Sequence, residues 1–469
     1  MFLEIDEKQQ DRLALVDSDG KKMTYGQLQD FIEEMSAVLP DRCLVFLLCR
    51  NCVGAAAAYL AALANRVVPL MLGSAMDETL LSGLMDRYRP SFIWKPSESA
   101  GKQEKVVFSA FSYELIDCGE NPCGMYDELS LLLPTSGSTG SPKLVRHSYD
   151  NLEANARNIA AFFQLKPSDR PMLDLPIQYT YGLSVLNSHI YTGATVLLSD
   201  LSMMQQDYWK FFREQEATSI TGVPYTYEML KRFRIFRMEL PSLELLSAGG
   251  GKLEETLQLE YARFARETGR RFVITYGQTE GSARMAWLPP EDALDKIGSI
   301  GKAIPGGKIY LVDEQGRKIA EAGRIGEMVY EGPNVTLGYA ACLGDLMRAD
   351  ERNGVLYTGD MARQDAEGYL YVVGRKARFL KLYGNRVSLD ECEGILRRAF
   401  AVECACTGAD DEMIVYVAGP ADAAQLLRSL SEKTHIHQKA FQVRQVDSLP
   451  RNEAGKILYD RLKPSRQEE

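Results

Sequence analysis

The sequence predicts an α/β protein, and three observations carry that prediction. From residue 24 to about residue 276, short apolar runs alternate with stretches of helical spacing, the pattern of a mostly parallel, helix-covered sheet. Past residue 300 the texture changes to short strands and turns, and from about residue 375 a last segment reads strand, helix, strand, helix. A chain of 469 residues is too long for one hydrophobic core, so two or more domains are expected. These are a large N-terminal domain over residues 1–374, of parallel sheets plus a β-rich subdomain, and a small α+β C-terminal domain over residues 375–469.

The elements follow in order. Residues 24–39, TYGQLQDFIEEMSAVL, place apolar side chains at helical spacing after Thr24, a residue suited to cap a helix. CLVFLL precedes a helix over 54–64, VVPLML precedes one over 78–88, and SFIW follows. The most apolar segment, Ala55 to Leu72, is interrupted by Asn65, Arg66 and Pro69, so it reads as a buried helix running into a strand and not as a membrane span. The alternation continues through LLLP, NLEANARNIAAFF, ATVLLS, DYWKFFREQ, SITGVP, LELLSAGG and FVITYG. In the β-rich part, DEQGR and DAEGY carry hairpin-turn chemistry between KIYLV, GEMVYEG, GVLYTGD and GYLYVVG.

A net charge of −10 argues against a nucleic-acid-binding surface, which needs a cationic field. The first residues, MFLEIDEKQQDRL, do not resemble a signal peptide. Nine cysteines without regular spacing read as reduced thiols, and a cytoplasmic protein is expected. Cys49 and Cys52 form one CxxC, for which buried thiols are a better reading than a metal or redox site. His435 and His437 share a face if their segment is a strand, but two ligands make no metal site.

Chemistry concentrates in glycine-rich turns after strands. In LLLPTSGSTGSPKLVRHS, Thr135, Ser136, Gly137, Ser138, Thr139 and Gly140 offer unscreened backbone N–H groups and hydroxyls, and Lys143 adds a cation before Arg146. Such a loop can wrap the oxygens of a di- or triphosphate. It is not a GxxxxGK[ST] loop, because Pro142 and Leu144 replace the second glycine and the hydroxyl residue. ITYGQTEGS places Glu280 as a lone carboxylate among small residues, suited to a phosphate-bridging Mg²⁺, with the Thr279 hydroxyl and the flat ring of Tyr276 nearby. YTGD ends a strand on Asp360, whose two oxygens suit both hydroxyls of a ribose, and LPRNEAGKILYDRL carries Lys456 on a glycine turn. Each turn alone is weak evidence.

Together and in this order, these segments resemble the adenylate-forming (AMP-binding) superfamily: acyl-CoA synthetases, adenylation domains of nonribosomal peptide synthetases, and luciferases. MTYGQL, the segment through NRVVPLML, LPIQYTYGLSVLNSHIYTGATVLL, LLSAGGGKL and VGRKARFLKLYGNRVSLDECE extend the resemblance over nearly the whole chain. It implies a two-step reaction. A carboxylate attacks the α-phosphorus of ATP to give acyl-AMP and pyrophosphate, and a thiol of CoA or a phosphopantetheine arm then attacks the acyl group. Charge neutralisation and positioning dominate such chemistry.

By that resemblance, residues 135–140 with Lys143 would cradle the β- and γ-phosphates, and Thr279 and Glu280 would hold the α-phosphate and Mg²⁺. Asp360 would clasp the ribose beside Arg375, while Gly249, Gly250, Gly251, Tyr276, Gly277 and Gln278 would surround the nucleotide. Lys456 would bring a cation to the reacting carboxylate from a C-terminal domain that turns about a hinge in GRKAR, where Ala377 replaces the usual charged residue. Lys381 and Gly384 would then face the thiol tunnel.

Tyr179, Thr180, Tyr181 and Gly182 fall in the region that resembles the acid pocket. Thr180 stands where amino-acid-activating members carry an Asp, so a fatty or aryl acid is expected over an amino acid, whose ammonium would be left unpaired. Met203 and Met204 are read as packing residues in preference to an acyl channel. Arg378, Lys381 and Arg386 could meet the 3′-phosphate of CoA, and no carrier-attachment motif follows Lys456, so CoA and a separate carrier protein both stand as acceptors. The competing readings are a stand-alone amino-acid-adenylating enzyme, a nucleotide-binding protein of another class such as a kinase, and a non-catalytic relative.

Overall fold

In the computed structural model, residues 2–99, 101, 104–119, 124–134, 143–383, 385–409, 411–434, 436–451 and 457–462 are described, with the backbone alone at 377, 379, 381, 385, 386 and 460. The chain divides into two compact units, one of residues 1–309 and 330–356, the other of residues 310–329 and 357–469. Residues 310–329 and 357–374, expected with the N-terminal domain, therefore fall in the second unit.

The first unit is built on two sheets. In one, strands 44–49, 68–73, 92–96 and 129–134 run parallel, with antiparallel strands 144–148 and 338–340 at one edge and 113–117 and 106–110 at the other. The other runs parallel from strand 271–276 through 245–248, 219–222, 171–173 and 196–198 to 13–17, and antiparallel strands flank it.

Strand alternation splits residues 44–49 between two cores. Val45 and Leu47 join one core with helices 25–36 and 53–64, and Leu44, Phe46 and Leu48 join another with Leu84 and Tyr88 of helix 78–88. Helix Val53–Ala64, VGAAAAYLAALA, is buried on every side except at its last residue, as its uniformly apolar sequence requires. It runs through Asn65 and Arg66 into strand 68–73, the helix-into-strand reading of Ala55–Leu72. Among the described residues no helix is long and apolar enough to cross a membrane.

Local chemistry sets the element ends. Thr24 caps helix 25–36 in a reciprocal box: its Oγ1 accepts from Gln27 N at 3.1 Å and its N donates to Gln27 Oε1 at 2.9 Å. Ser148 and Asn151 repeat the device at helix 149–163. Gly316 and Gly368 take the positive φ that turns DEQGR and DAEGY require, at +75° and +89°. Asn51 ties the ends of the two sheets together: Nδ2 donates to the carbonyls of Leu173, Leu175 and Ser199, and Oδ1 accepts from Ile177 N at 3.1 Å.

The second unit holds the five-stranded sheet of strands 318–319, 308–312, 325–331, 355–364 and 370–375, whose members at 308–312, 325–331 and 355–364 run across the division along the chain. Hairpin 379–388, helices 389–400 and 423–434, and a sheet of strands 403–409, 412–418 and 441–446 follow. The hairpin ahead of helix 389–400 is an element the strand–helix–strand–helix reading did not contain. Cys392, Cys404 and Cys406 lie buried in this core.

Cys49 and Cys52 are also buried, and burial pushes both thiols up, so they are inert packing residues. Cys43, Cys342, Cys392, Cys404 and Cys406, like Cys49 and Cys52, are unpaired thiols, and the described residues hold no metal-ligating cluster. His437 does not lie on a strand: it opens a short turn, its Nδ1 accepting from Lys439 N at 3.2 Å, while His435 is outside the described residues. Met204 is 62% exposed, so it is not the packing residue expected.

Candidate active site

The hydroxyl-rich loop is closed by a strand hairpin. Pro134 and Leu144 are cross-strand partners, so the two ends of residues 135–143 are fixed in register. Thr135 to Gly140 lie outside the described residues. Lys143 stands at the exit, with its Nζ 5.8 Å from the ring centre of Tyr339. Tyr339 comes from strand 338–340, paired antiparallel to strand 144–148 with Tyr339 opposite Val145.

Arg146, three residues after Lys143, is not part of a surface patch. It is wholly buried and donates to the carbonyls of Leu337, Tyr339, Arg348 and Ala349 and to Glu351 Oε2 at 2.6 Å. These bonds hold the Tyr339 strand in place.

Glu280 sits in a single 3₁₀ turn, Thr279–Gly281, directly after strand 271–276. The Tyr339 hydroxyl donates to its Oε1 at 2.7 Å, and Thr336 donates from both N and Oγ1 to its carbonyl at 3.0 Å. Arg352 reaches the same carbonyl at 3.4 Å, bonds Thr336 Oγ1, and lies 4.7 Å from the Tyr339 ring centre. Burial, and then the Glu280 charge, push the Tyr339 hydroxyl up to about 12, so it remains a donor. Tyr339, Thr336 and Arg352 carry no motif and were missed by sequence reasoning.

The turn is folded tightly on itself. A Cβ on Gly277 would lie 1.3 Å from Ala283 O, so this position admits no side chain. Ser282 and Ala283 hold φ of +51° and +91°, a strained pair of the kind that collects at functional sites. His147 Nδ1 lies 3.2 Å from Ser282 Oγ, and burial, with Arg352 nearby, pushes its imidazole down to about 3, so it is neutral.

Two of the predicted groups meet directly: Thr180 Oγ1 and Thr279 Oγ1 are 3.3 Å apart. Thr180 opens helix 180–191, with Tyr179 at its N-cap. Gly182 lets that helix sit on the chain before it, since a Cβ there would lie 2.7 Å from Leu175 O and 2.6 Å from Pro176 O. Tyr181 OH is 3.4 Å from Thr275 Oγ1, and a Cβ on Gly249 would strike both, at 2.7 and 2.6 Å. Gly249 is thus fixed by close approach, Gly250 by its φ of +73°, and Gly251 faces Pro224. Gln278 Nε2 donates to Tyr276 OH at 3.3 Å.

Beside Tyr181 stands a residue that sequence reasoning did not single out. Arg284 is 2% exposed, with its guanidinium carbon 4.7 Å from the Phe163 ring centre and 5.1 Å from that of Tyr181. A buried cation therefore stands beside Tyr181, the neighbour of Thr180.

In the second unit, Asp360 and Arg375 are cross-strand partners joined by a 2.7 Å ion pair, with Asp360 buried and Arg375 exposed. Lys376 pairs with Glu327 at 2.6 Å. Arg378 pairs with Asp390 and Glu393, each at 2.5 Å, and stacks on Tyr459 at 3.7 Å. Arg378 is therefore committed within its own unit and does not join a patch for CoA. Gly384 and Lys456 lie outside the described residues, as does the side chain of Lys381.

The family model for AMP-binding enzymes matches residues 2–340. The chain belongs to the AMP-binding enzyme family. As a family member it is an acid–thiol ligase that converts ATP to AMP and pyrophosphate. It is 29% identical over 352 residues to a 2-succinylbenzoate-CoA ligase of Bacillus subtilis, covering 73% of this chain and 70% of that one. It is 32% identical over 346 residues to an indoleacetate-CoA ligase of Aromatoleum aromaticum, covering 70% and 66%. The Bacillus subtilis o-succinylbenzoate CoA synthetase solved with ATP and magnesium ion shares the fold of this AMP-binding enzyme, with a TM-score of 0.80, 24% identity and 99% of both chains covered.

Proposed function

We propose that the enzyme activates an aryl carboxylic acid as its acyl-adenylate and transfers the acyl group to CoA. The observation that carries the reading is the convergence on Tyr339 and Thr279. Lys143, at the exit of the hydroxyl-rich loop, lies over the ring whose hydroxyl holds Glu280, and the next residue, Thr279, touches Thr180 of the acid pocket. Phosphate-binding and acid-binding elements thus meet within one turn of chain.

In this reading residues 135–140 and Lys143 bind the β- and γ-phosphates, Thr279 binds the α-phosphate, and Asp360 with Arg375 binds the ribose. Gly249, Gly250, Gly251, Tyr276, Gly277 and Gln278 line the nucleotide. The substrate carboxylate oxygen attacks the α-phosphorus as the bond to pyrophosphate breaks. Lys456 carries an ammonium to the oxygens that gather charge in that step. The thiol then attacks the acyl carbonyl and AMP leaves.

Glu280 suits a Mg²⁺ shared with phosphates, because one of its oxygens is oriented by Tyr339 and Mg²⁺ needs only one or two protein carboxylates when phosphates complete its shell. When bound, the ion neutralises phosphate charge.

CoA is favoured over a carrier protein because the named relatives are CoA ligases, and an aryl acid over a fatty acid because two of them are named for aryl substrates. Thr180 leaves a substrate ammonium without a partner, which disfavours amino acids. Domain alternation about residues 374–378, with Lys381 and Gly384 at the thiol tunnel, belongs to the same proposal, as does a reducing, cytoplasmic setting for thiols such as Cys49, Cys52, Cys404 and Cys406. Incubation with ATP, CoA and a panel of aryl, fatty and amino acids tests the reading. An aryl-CoA thioester with AMP is expected, and an aminoacyl product, or acyl transfer to a carrier protein but never to CoA, would overturn it.

A further inference from the structure

Two arginines are wholly buried in the first unit, and they are treated differently. Arg146 has a carboxylate and four carbonyls around it. Arg284 has neither: its Nε and Nη1 are buried without a hydrogen-bond partner, and no carboxylate among the described residues pairs with it. The rings of Phe163 and Tyr181 flank the cation but bring it no counter-charge. A buried charge without a counter-charge is among the costlier arrangements a fold can hold.

The residue is placed with care. Its carbonyl accepts from Asn155 Nδ2 at 3.0 Å and Asn334 Nδ2 at 3.2 Å, which anchors the backbone directly after the strained Ser282–Ala283 pair. The flanking ring is Tyr181, next to Thr180, whose hydroxyl touches Thr279. Arg284 therefore lies on the acid side of the point where the reactants meet.

Two hydroxyls of the same unit are also left without partners. Tyr227 OH and Ser247 Oγ are buried without partners. Ser247 is opposite Val273 in register, so by strand alternation it faces the side to which Thr275 turns its hydroxyl toward Tyr181. Tyr227 lies close to Arg284, and burial pushes its phenol well up, so it stays a neutral hydroxyl. A guanidinium that can only donate, buried with unsatisfied N–H groups beside hydroxyls that are themselves unsatisfied, describes a site for an anion.

We propose that Arg284 receives a second anionic group of the acid substrate, so that the enzyme selects acids bearing a carboxylate remote from the one it activates. The inference rests on the ligase reading above and names its substrate class. The carboxylate would take the fork of the guanidinium, with Tyr227 and Ser247 supplying further donors.

The test pairs each of a series of aryl and aliphatic dicarboxylic acids with its monomethyl ester and measures acid-dependent pyrophosphate release by the full-length enzyme. A preference for the diacid of about 100-fold or more in kcat/KM is expected, because the ester leaves a buried cation unpaired. Arg284→Met should bring that ratio to within a few-fold of one, and Arg284→Lys should keep part of it. Equal use of diacid and ester by the wild type, or an unchanged ratio in Arg284→Met, overturns the proposal. Should Arg284→Met fail to fold, the wild-type ratio and Arg284→Lys decide. If no acid of either series releases pyrophosphate, the ligase reading is what fails. Calorimetry with phthalate and glutarate then decides the anion site: binding that weakens in Arg284→Lys supports it, and no binding overturns it.

Discussion

The hydroxyl of Tyr339 donates a 2.7 Å hydrogen bond to Oε1 of Glu280, joining strand 338–340 to the turn that follows strand 271–276. It orients the carboxylate assigned to Mg²⁺. Removing it in Tyr339→Phe leaves the ring under Lys143 and Arg352 but frees the carboxylate. A net loss of about 1 kcal/mol is expected. The Mg²⁺ concentration for half-maximal adenylation should rise about fivefold, and an unchanged requirement would separate Tyr339 from the site.

Glu280→Ala removes the carboxylate itself. The Mg²⁺ requirement should rise by about 100-fold or more, since the protein then offers the ion no charge of its own here. Titration of activity with Mg²⁺ at fixed ATP reads it directly. Metal dependence equal to wild type would remove Glu280 from the site.

Lys456→Ala separates the half-reactions. Adenylation should fall by about 100- to 1,000-fold, while thioester formation from supplied acyl-AMP and CoA is largely retained. Equal losses in both steps would contradict the role given to this ammonium.

Arg146→Met tests the support beneath Tyr339. It strands the carbonyls that the buried guanidinium satisfied, while its carboxylate partner Glu351 is exposed, so a loss of about 3 kcal/mol in unfolding free energy is expected. Urea denaturation measures it, and a loss under about 1 kcal/mol would show that strand 338–340 is held by other means.

Acid should destabilise the fold through two histidines. Burial pushes His147 down to about 3 and His189 to about 4, so the native state refuses a proton that the unfolded chain accepts below about pH 6.5. Stability is flat above that pH and is lost as pH falls through the window, on the order of 2 kcal/mol per histidine by pH 4.5. Asp174, raised to about 6 by burial, works in the opposite sense, because its native form takes up a proton first. A His147→Gln/His189→Gln variant should therefore lose less stability than wild type between pH 7 and pH 4.5. An equal loss would contradict the assignment.

What was legible in the sequence was what local chemistry decides. Thr24 capped its helix, Gly316 and Gly368 made their turns, and the uniformly apolar residues 53–64 became a helix buried on every side but its last residue. The glycine turns at 249–251 and 277 were legible too, because close approach excludes a Cβ. Tyr339 was not, since its role depends on a strand pairing between residues 144–148 and 338–340 that no local pattern announces. The burial of Arg146 and Arg284 was not legible either, because charged side chains are seldom wholly buried. The division between units also escaped a linear reading, since residues 310–329 and 357–374 go with the C-terminal residues.

The most direct test of the whole account is exchange of labelled pyrophosphate into ATP by the wild-type enzyme, with and without a carboxylic acid. Exchange that requires both the acid and Mg²⁺, with AMP as the nucleotide released once CoA is added, is the predicted result. Release of ADP, or exchange indifferent to every acid supplied, would contradict it.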